Sequence, residues 1–188
     1  MTPASLLAPT YLQMLTALSQ WLGKAEAQLG QAGADALLGA RLAPDMFPLA
    51  TQIRFACVQA QEGMYRLADA DFPPSIAALL DEGRNAGEQP GTIADARARI
   101  EETAQIVRAM ADADASDDSE RALAHQLPNG MIFDFTTEQY ARDWAVPQFY
   151  FHVMTAYTIL RSQGVELGKA DYVAHLFGHL RPGTMPQA

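Results

Sequence analysis

The chain has one cysteine, Cys57, so no internal disulfide can staple it. That usage suits a reducing compartment, and a cytoplasmic address is expected. Charge is scarce as well: 13 basic and 22 acidic residues among 188, or 19%, leave a net charge of −9. With no cluster of Lys and Arg to neutralise phosphates, a nucleic-acid partner is excluded. No basic residue precedes Lys24, so the amino terminus lacks the positive region of a secretory signal. Apolar runs are short, cut by Pro147, Gln148 or Gln163, and none reaches the ~18–20 residues that span a bilayer. Membrane insertion is excluded with them. Also missing are a glycine-rich phosphate loop, a dinucleotide fingerprint, a nucleophile elbow, a paired-cysteine zinc motif and the Glu-x-x-His pair of di-iron bundles.

What is there is apolar and periodic. Apolar residues make up 49% of the chain, enough for a core, and the length predicts a single domain over residues 1–188. From Ser5 to Leu29, Leu7, Tyr11, Met14, Leu18, Leu22, Ala25 and Leu29 recur at steps of three and four, one stripe of a first helix opened by Thr2 and Pro3. A connector follows from Gly30 to Met46, with a helical turn at Leu37 and Leu38. Asp45 as cap and Pro48 in the first turn then start a second helix that ends near Asp69, with Ala50, Ile53, Cys57, Ala60, Met64 and Leu67 on one face. Ser75 caps a short helix to Leu80, and Gly83 to Gly91 reads as a loop. Thr92 with Asp95 makes a capping box for a third long helix, whose Ile93, Ala96, Ile100, Ala104, Val107 and Met110 face inward.

The period then changes. Leu123, His125 and Leu127 alternate, Asn129-Gly130 makes a tight turn, and Met131, Phe133 and Phe135 alternate on the way back, which predicts a β-hairpin. Thr136 with Gln139 caps the fourth long helix. Its predicted inward stripe is Tyr140, Trp144, Gln148, Phe151 with His152, Thr155 and Ile159, and Gly164 ends it. A short closing segment runs from Tyr172 to Leu180. Four amphipathic rods can bury their stripes only against one another, so the fold class is all-α, a four-helix bundle with a small hairpin before the last long helix.

Chemistry in such a bundle belongs to polar groups on apolar faces. His152 sits among Phe149, Tyr150, Phe151, Val153 and Met154, one turn beyond Gln148. Burial would lower its affinity for a proton, whether it is a core histidine bonded to a carbonyl or hydroxyl or a functional one. Pro147 removes a backbone hydrogen bond just before Gln148 and predicts a kink there. Gln52 and Gln59 share a face of the second helix, either as its wet margin or aimed at His152. His175 and His179 stand four apart, a metal-pair spacing weakened by Gly178 and Pro182. His125 is expected to be exposed. Cys57 reads as a core group with a raised thiol pKa. Asp112, Asp114, Asp117, Asp118 and Glu120 form a carboxylate-rich turn without EF-hand spacing.

Larger blocks carry a resemblance: Pro147-Gln148-Phe149-Tyr150-Phe151-His152, Thr155-Ala156-Tyr157, Ile159-Leu160-Arg161, Gly164-Val165, Leu167-Gly168-Lys169 and Met46-Phe47-Pro48-Leu49. Together with the hairpin before Thr136 they resemble a bacterial family of unknown function within the DinB/YfiT-like superfamily of metalloenzymes. The likeness implies an up-down-down-up bundle, frequently dimeric, with a divalent metal such as zinc or nickel on three histidines. Some members are thiol-dependent transferases or isomerases. Carried over by position, the ligands are His152, Gln148 and Gln52, so two of three are glutamine. A neutral amide oxygen is a weaker donor than imidazole for these ions, and the set should lose most of the affinity.

The leading expectation is therefore a homodimer that binds a small molecule near Gln52, Gln148 and His152 and has lost strong metal binding. The alternatives are a metal-dependent enzyme using His152 and a structural, dimeric interaction module.

Overall fold

In the computed structural model of the chain, residues 2–112 and 118–184 are described. The first helix, α1 (Pro3–Leu37), begins where Thr2 accepts a hydrogen bond from the Ser5 amide at 3.0 Å. It breaks at Gly30, whose φ of 71° lies in the left-handed region that glycine adopts without strain. The connector is thus a second short helical stretch to Leu37. α2 (Leu49–Leu67) starts one residue after Pro48, and Asp45 does not cap it, contrary to expectation. Every residue of its predicted stripe is buried, yet so are Thr51, Arg54, Val58 and Gln61. The surplus burial has a simple cause: α2 is packed by α1, by α3 (Pro74–Asn85), by α4 (Ile93–Asp112) and by the last long helix.

The third helix runs past Leu80 to Asn85 and so takes the first three residues of the segment expected to be a loop, the rest of which is not helical. Gly83 does not end it but lets it approach α2. A Cβ there would stand 2.7 Å from the Phe55 ring, and the Thr51 hydroxyl donates to the Gly83 carbonyl at 2.8 Å. Arg54, 2% exposed, ties this corner together by donating to the Glu82 carboxylate at 2.7 Å and to the carbonyls of Ala50 and Pro90. The box of Thr92 and Asp95 opens α4 as read from the sequence.

β1 (Ala122–Gln126) and β2 (Ile132–Thr136) pair antiparallel, with His125 opposite Phe133 and Gly130 at φ 88° in the turn. The capping box of Thr136 and Gln139 then opens α5 (Thr137–Gln139). It continues without interruption into a widened π-helical turn, Tyr140–Ala145, and α6 (Val146–Ser162). Pro147 explains the widening. Its ring would collide with the carbonyl four residues back, and the turn before it opens so that the Val146 amide bonds the carbonyl of Ala141, five back. The expected kink therefore takes the form of a π-turn. The extra residue per turn also rotates the inward face by about one position. Ala145, Phe149, Val153, Ala156 and Leu160 are buried, whereas Phe151, predicted to face inward, is 59% exposed.

Contacts between helices set the topology. Tyr11 meets Phe149 and Trp21 meets Tyr157, so α1 and α6 run parallel. Gln61 bonds Thr103 while Arg54 reaches Pro90, so α2 and α4 also run parallel. Ala50 bonds Leu38 and Tyr11 lies against Gly63, which sets the two pairs antiparallel. The result is an up-down-down-up four-helix bundle with a two-stranded hairpin, α3 supplying the return between the two parallel helices. α7 (Lys169–Tyr172) and a 3₁₀ turn, Ala174–His179, close the fold against α1, where Trp21 Nε1 donates to the Asp171 carbonyl. No described helix is long and apolar enough to cross a membrane.

Candidate functional site

His152, on α6, and Gln52, on the first turn of α2, are a hundred residues apart and meet at 2.8 Å between Nδ1 and Oε1. Their protonation follows from their partners. The Gln52 side chain also bonds the Phe47 carbonyl at 3.2 Å, and a carbonyl only accepts, so Nε2 of the amide faces Phe47 and Oε1 faces the ring. That oxygen accepts in turn, so Nδ1 of His152 carries the proton and Nε2 is left with a lone pair. Burial holds the imidazole neutral, with its pKa lowered from 6.5 to about 4.

The ring stands in an aromatic frame. Phe55 and Phe151 present edge-to-face contacts with centroids 5.3 and 5.2 Å away, and Phe47 extends the row at 5.5 Å from Phe55. Phe47 and Phe151 are 50% and 59% exposed, so the frame opens toward solvent. Gln148 lies one turn before His152, but its side chain makes no hydrogen bond among the described residues. The structure thus joins Gln52 and His152 and leaves Gln148 beside them.

A divalent ion on Gln52, Gln148 and His152 does not suit this arrangement. Gln52 Oε1 is engaged by the ring, its own Nε2 by Phe47, and only one imidazole nitrogen is free to donate electrons. Among the described residues no group of three or more His, Cys, Asp or Glu side chains is placed to hold an ion. His175 and His179 sit on a 3₁₀ turn, where three residues per turn put positions four apart on diverging sides, so their spacing does not make a helical pair. Cys57 is fully buried with its thiol pushed up to about 12 by burial, as its core position predicted. Of the acidic stretch, residues 113–117 lie outside the described residues.

One functional candidate escaped the sequence reading. His125 is 6% exposed, not open to solvent, and both of its ring nitrogens are buried without a hydrogen-bond partner among the described residues. Burial, then the nearby Arg66, hold it below the ordinary histidine pKa. It packs on Trp144 and Tyr140, with centroids 4.5 and 5.4 Å away, and faces a cavity of about 530 Å³ between α2, α3, the hairpin and the π-turn. The signal was present in the alternation: His125 shares a strand face with Leu123, which had to be the inward one.

Comparison with known proteins adds the family. Residues 5–173 match the family described as Domain of unknown function (DUF1993). The crystal structure of a DinB family member protein from Shewanella denitrificans is similar over 95% of this chain and 93% of that one, at 30% identity and a TM-score of 0.69. No curated protein matches. With the bundle topology, the hairpin and these two findings in hand, the chain belongs to the DUF1993 family of DinB-like helical bundles.

Proposed function

We propose that this DinB-like bundle binds a small molecule at Gln52, Gln148 and His152 and has lost strong metal binding. The observation that carries the reading is the bond between Gln52 and His152. It spends the amide oxygen, fixes the tautomer and leaves Nε2 of the imidazole as one oriented acceptor within an aromatic frame. Such a site suits a ligand with a hydrogen-bond donor on a flat body that lies against Phe47, Phe55 and Phe151. A role as sole general base is disfavoured. At a pKa of about 4 the ring is a weak proton acceptor at neutral pH, far from the match to ambient pH that efficient proton transfer needs.

The test is thermal melting of untagged, chelator-treated protein in increasing Zn²⁺ or Ni²⁺. Specific binding to the folded state raises the midpoint with concentration, and none is expected at micromolar metal. Near-stoichiometric metal in the purified protein, lost on His152→Ala, would overturn the reading and favour the metal-dependent enzyme.

A second observation favours a homodimer: Phe47 and Phe151, which frame the site, are exposed, and so is Met154 one turn after Phe151. Sedimentation is expected to give a dimer at micromolar concentration, and a single monomeric species removes that part.

A further inference from the structure

We infer that the cavity between α2, α3, the hairpin and the π-turn is a second binding site, independent of His152, for a monocarboxylate with a flat apolar body. Four features of the walls lead there.

His125 is the first. A neutral imidazole always presents one donor and one acceptor, and here both nitrogens are buried without a partner among the described residues, on a side chain 94% hidden from solvent whose ring forms part of the cavity wall. Buried polar groups in folded proteins are nearly always satisfied, and an unsatisfied one marks a place where another molecule supplies the bond.

Arg66 is the second. Its guanidinium lies over the Phe72 ring, 4.5 Å from the centroid, its Nε is buried without a partner, and no carboxylate among the described residues pairs with it. Glu62, one turn earlier on the same wall, makes no ion pair with it; burial raises the Glu62 pKa and the charge of Arg66 opposes the rise. A permanent cation is thus offered to the cavity by a protein whose net charge is −9.

The third is the apolar floor. Trp144, Phe72, Leu80 and Val58 line the space, with Trp144 stacked obliquely on His125, so a flat body can lie on the indole.

Size is the fourth. About 530 Å³ falls within the ~300–1,000 Å³ typical of small-molecule pockets.

The charge count selects carboxylate over phosphate. One unpaired guanidinium offers a planar fork of two parallel N–H donors, which matches a planar monoanion, while a dianion would leave excess negative charge in an acidic protein. A hydroxyl or second polar group on the body can then meet His125.

The test uses the intact chain with its four histidines ¹⁵N-labelled, titrated with 2-naphthoate and followed by the ring resonances. Saturable shifts of His125, with His152 unmoved, are expected. The neutral isostere 2-naphthamide should bind about tenfold more weakly or worse, since a charge-assisted bond is lost. Arg66→Gln should weaken naphthoate by a similar factor, and Arg66→Lys, which keeps the charge without the fork, by less. If Arg66→Gln does not fold, the contrast between naphthoate and naphthamide on the unaltered chain decides. No shift at His125, a shift only at His152, equal binding of the amide, or displacement of naphthoate by equimolar inorganic phosphate would each overturn the proposal.

Discussion

The molecule holds two imidazoles out of water in opposite ways. His152 is partnered: Gln52 takes its Nδ1 proton, Phe47 fixes the Gln52 amide, and aromatic rings frame it at the edge of the bundle. His125 is more deeply buried but unpartnered among the described residues, its ring part of the wall of a cavity that Arg66, Glu62 and Trp144 also line. The contrast teaches that burial alone does not mark a binding site. A satisfied histidine stabilises the packing of two helices, whereas an unsatisfied one costs stability that only function explains.

Acid should widen the contrast most. His152 has a folded pKa of about 4 against 6.5 for the free ring, so as pH falls through that window the unfolded chain takes up a proton that the folded one refuses. Stability should therefore drop on going from about pH 6.5 to 4, by roughly 3 kcal/mol at most from this group. Burial and Arg66 lower the His125 pKa too, which gives its contribution the same sign. Chemical denaturation across this range checks the slope, and His152→Gln should flatten it without abolishing it.

Next in size is the loss of the partner. Gln52→Leu preserves volume at a position 2% exposed but strands the His152 Nδ1 proton and the Phe47 carbonyl. A destabilisation of about 2 kcal/mol is expected, seen as a lower denaturation midpoint at unchanged slope. An unaltered midpoint would show that the pair contributes nothing.

The smallest effect has the opposite sign. His125→Leu replaces two unsatisfied nitrogens by apolar volume among Trp144, Tyr140 and Phe133, and should stabilise the chain by about 1 kcal/mol while leaving naphthoate bound through Arg66. Loss of stability instead would mean that the ring is satisfied in solution, and would erase the contrast between the two histidines.

Much of this was legible in the chain. The stripe Ala50, Ile53, Cys57, Ala60, Met64 and Leu67 is buried throughout, as is Ile93, Ala96, Ile100, Ala104 and Val107, because a helix repeats its own face without outside help. The Asn129-Gly130 turn and the boxes at Thr92 and Thr136 were equally readable, since caps and tight turns are made by residues a few positions apart. On the last helix the predicted Tyr140 and Ile159 are buried, but the stripe between them is out of phase. A uniform period cannot foresee the residue that Pro147 inserts into the preceding turn, so Phe151 was assigned to the core that Phe149 and Val153 occupy. The sequence offers both Gln52 and Gln59 to His152, and nothing in the order of residues shows that Gln52 is the one that meets it, that Gln59 lines another cavity or that this cavity opens at His125.

The amino-acid sequence by itself determined the four long helices, the capping boxes at Thr92 and Thr136, the hairpin and the net negative charge, because these depend on contacts within a turn or a strand and on composition. Tertiary structure alone decided that Gln52 reaches across a hundred residues to hold one imidazole and that the other lines a cavity together with Arg66. Such pairings rest on the angle and depth at which whole helices pack, which no local period encodes.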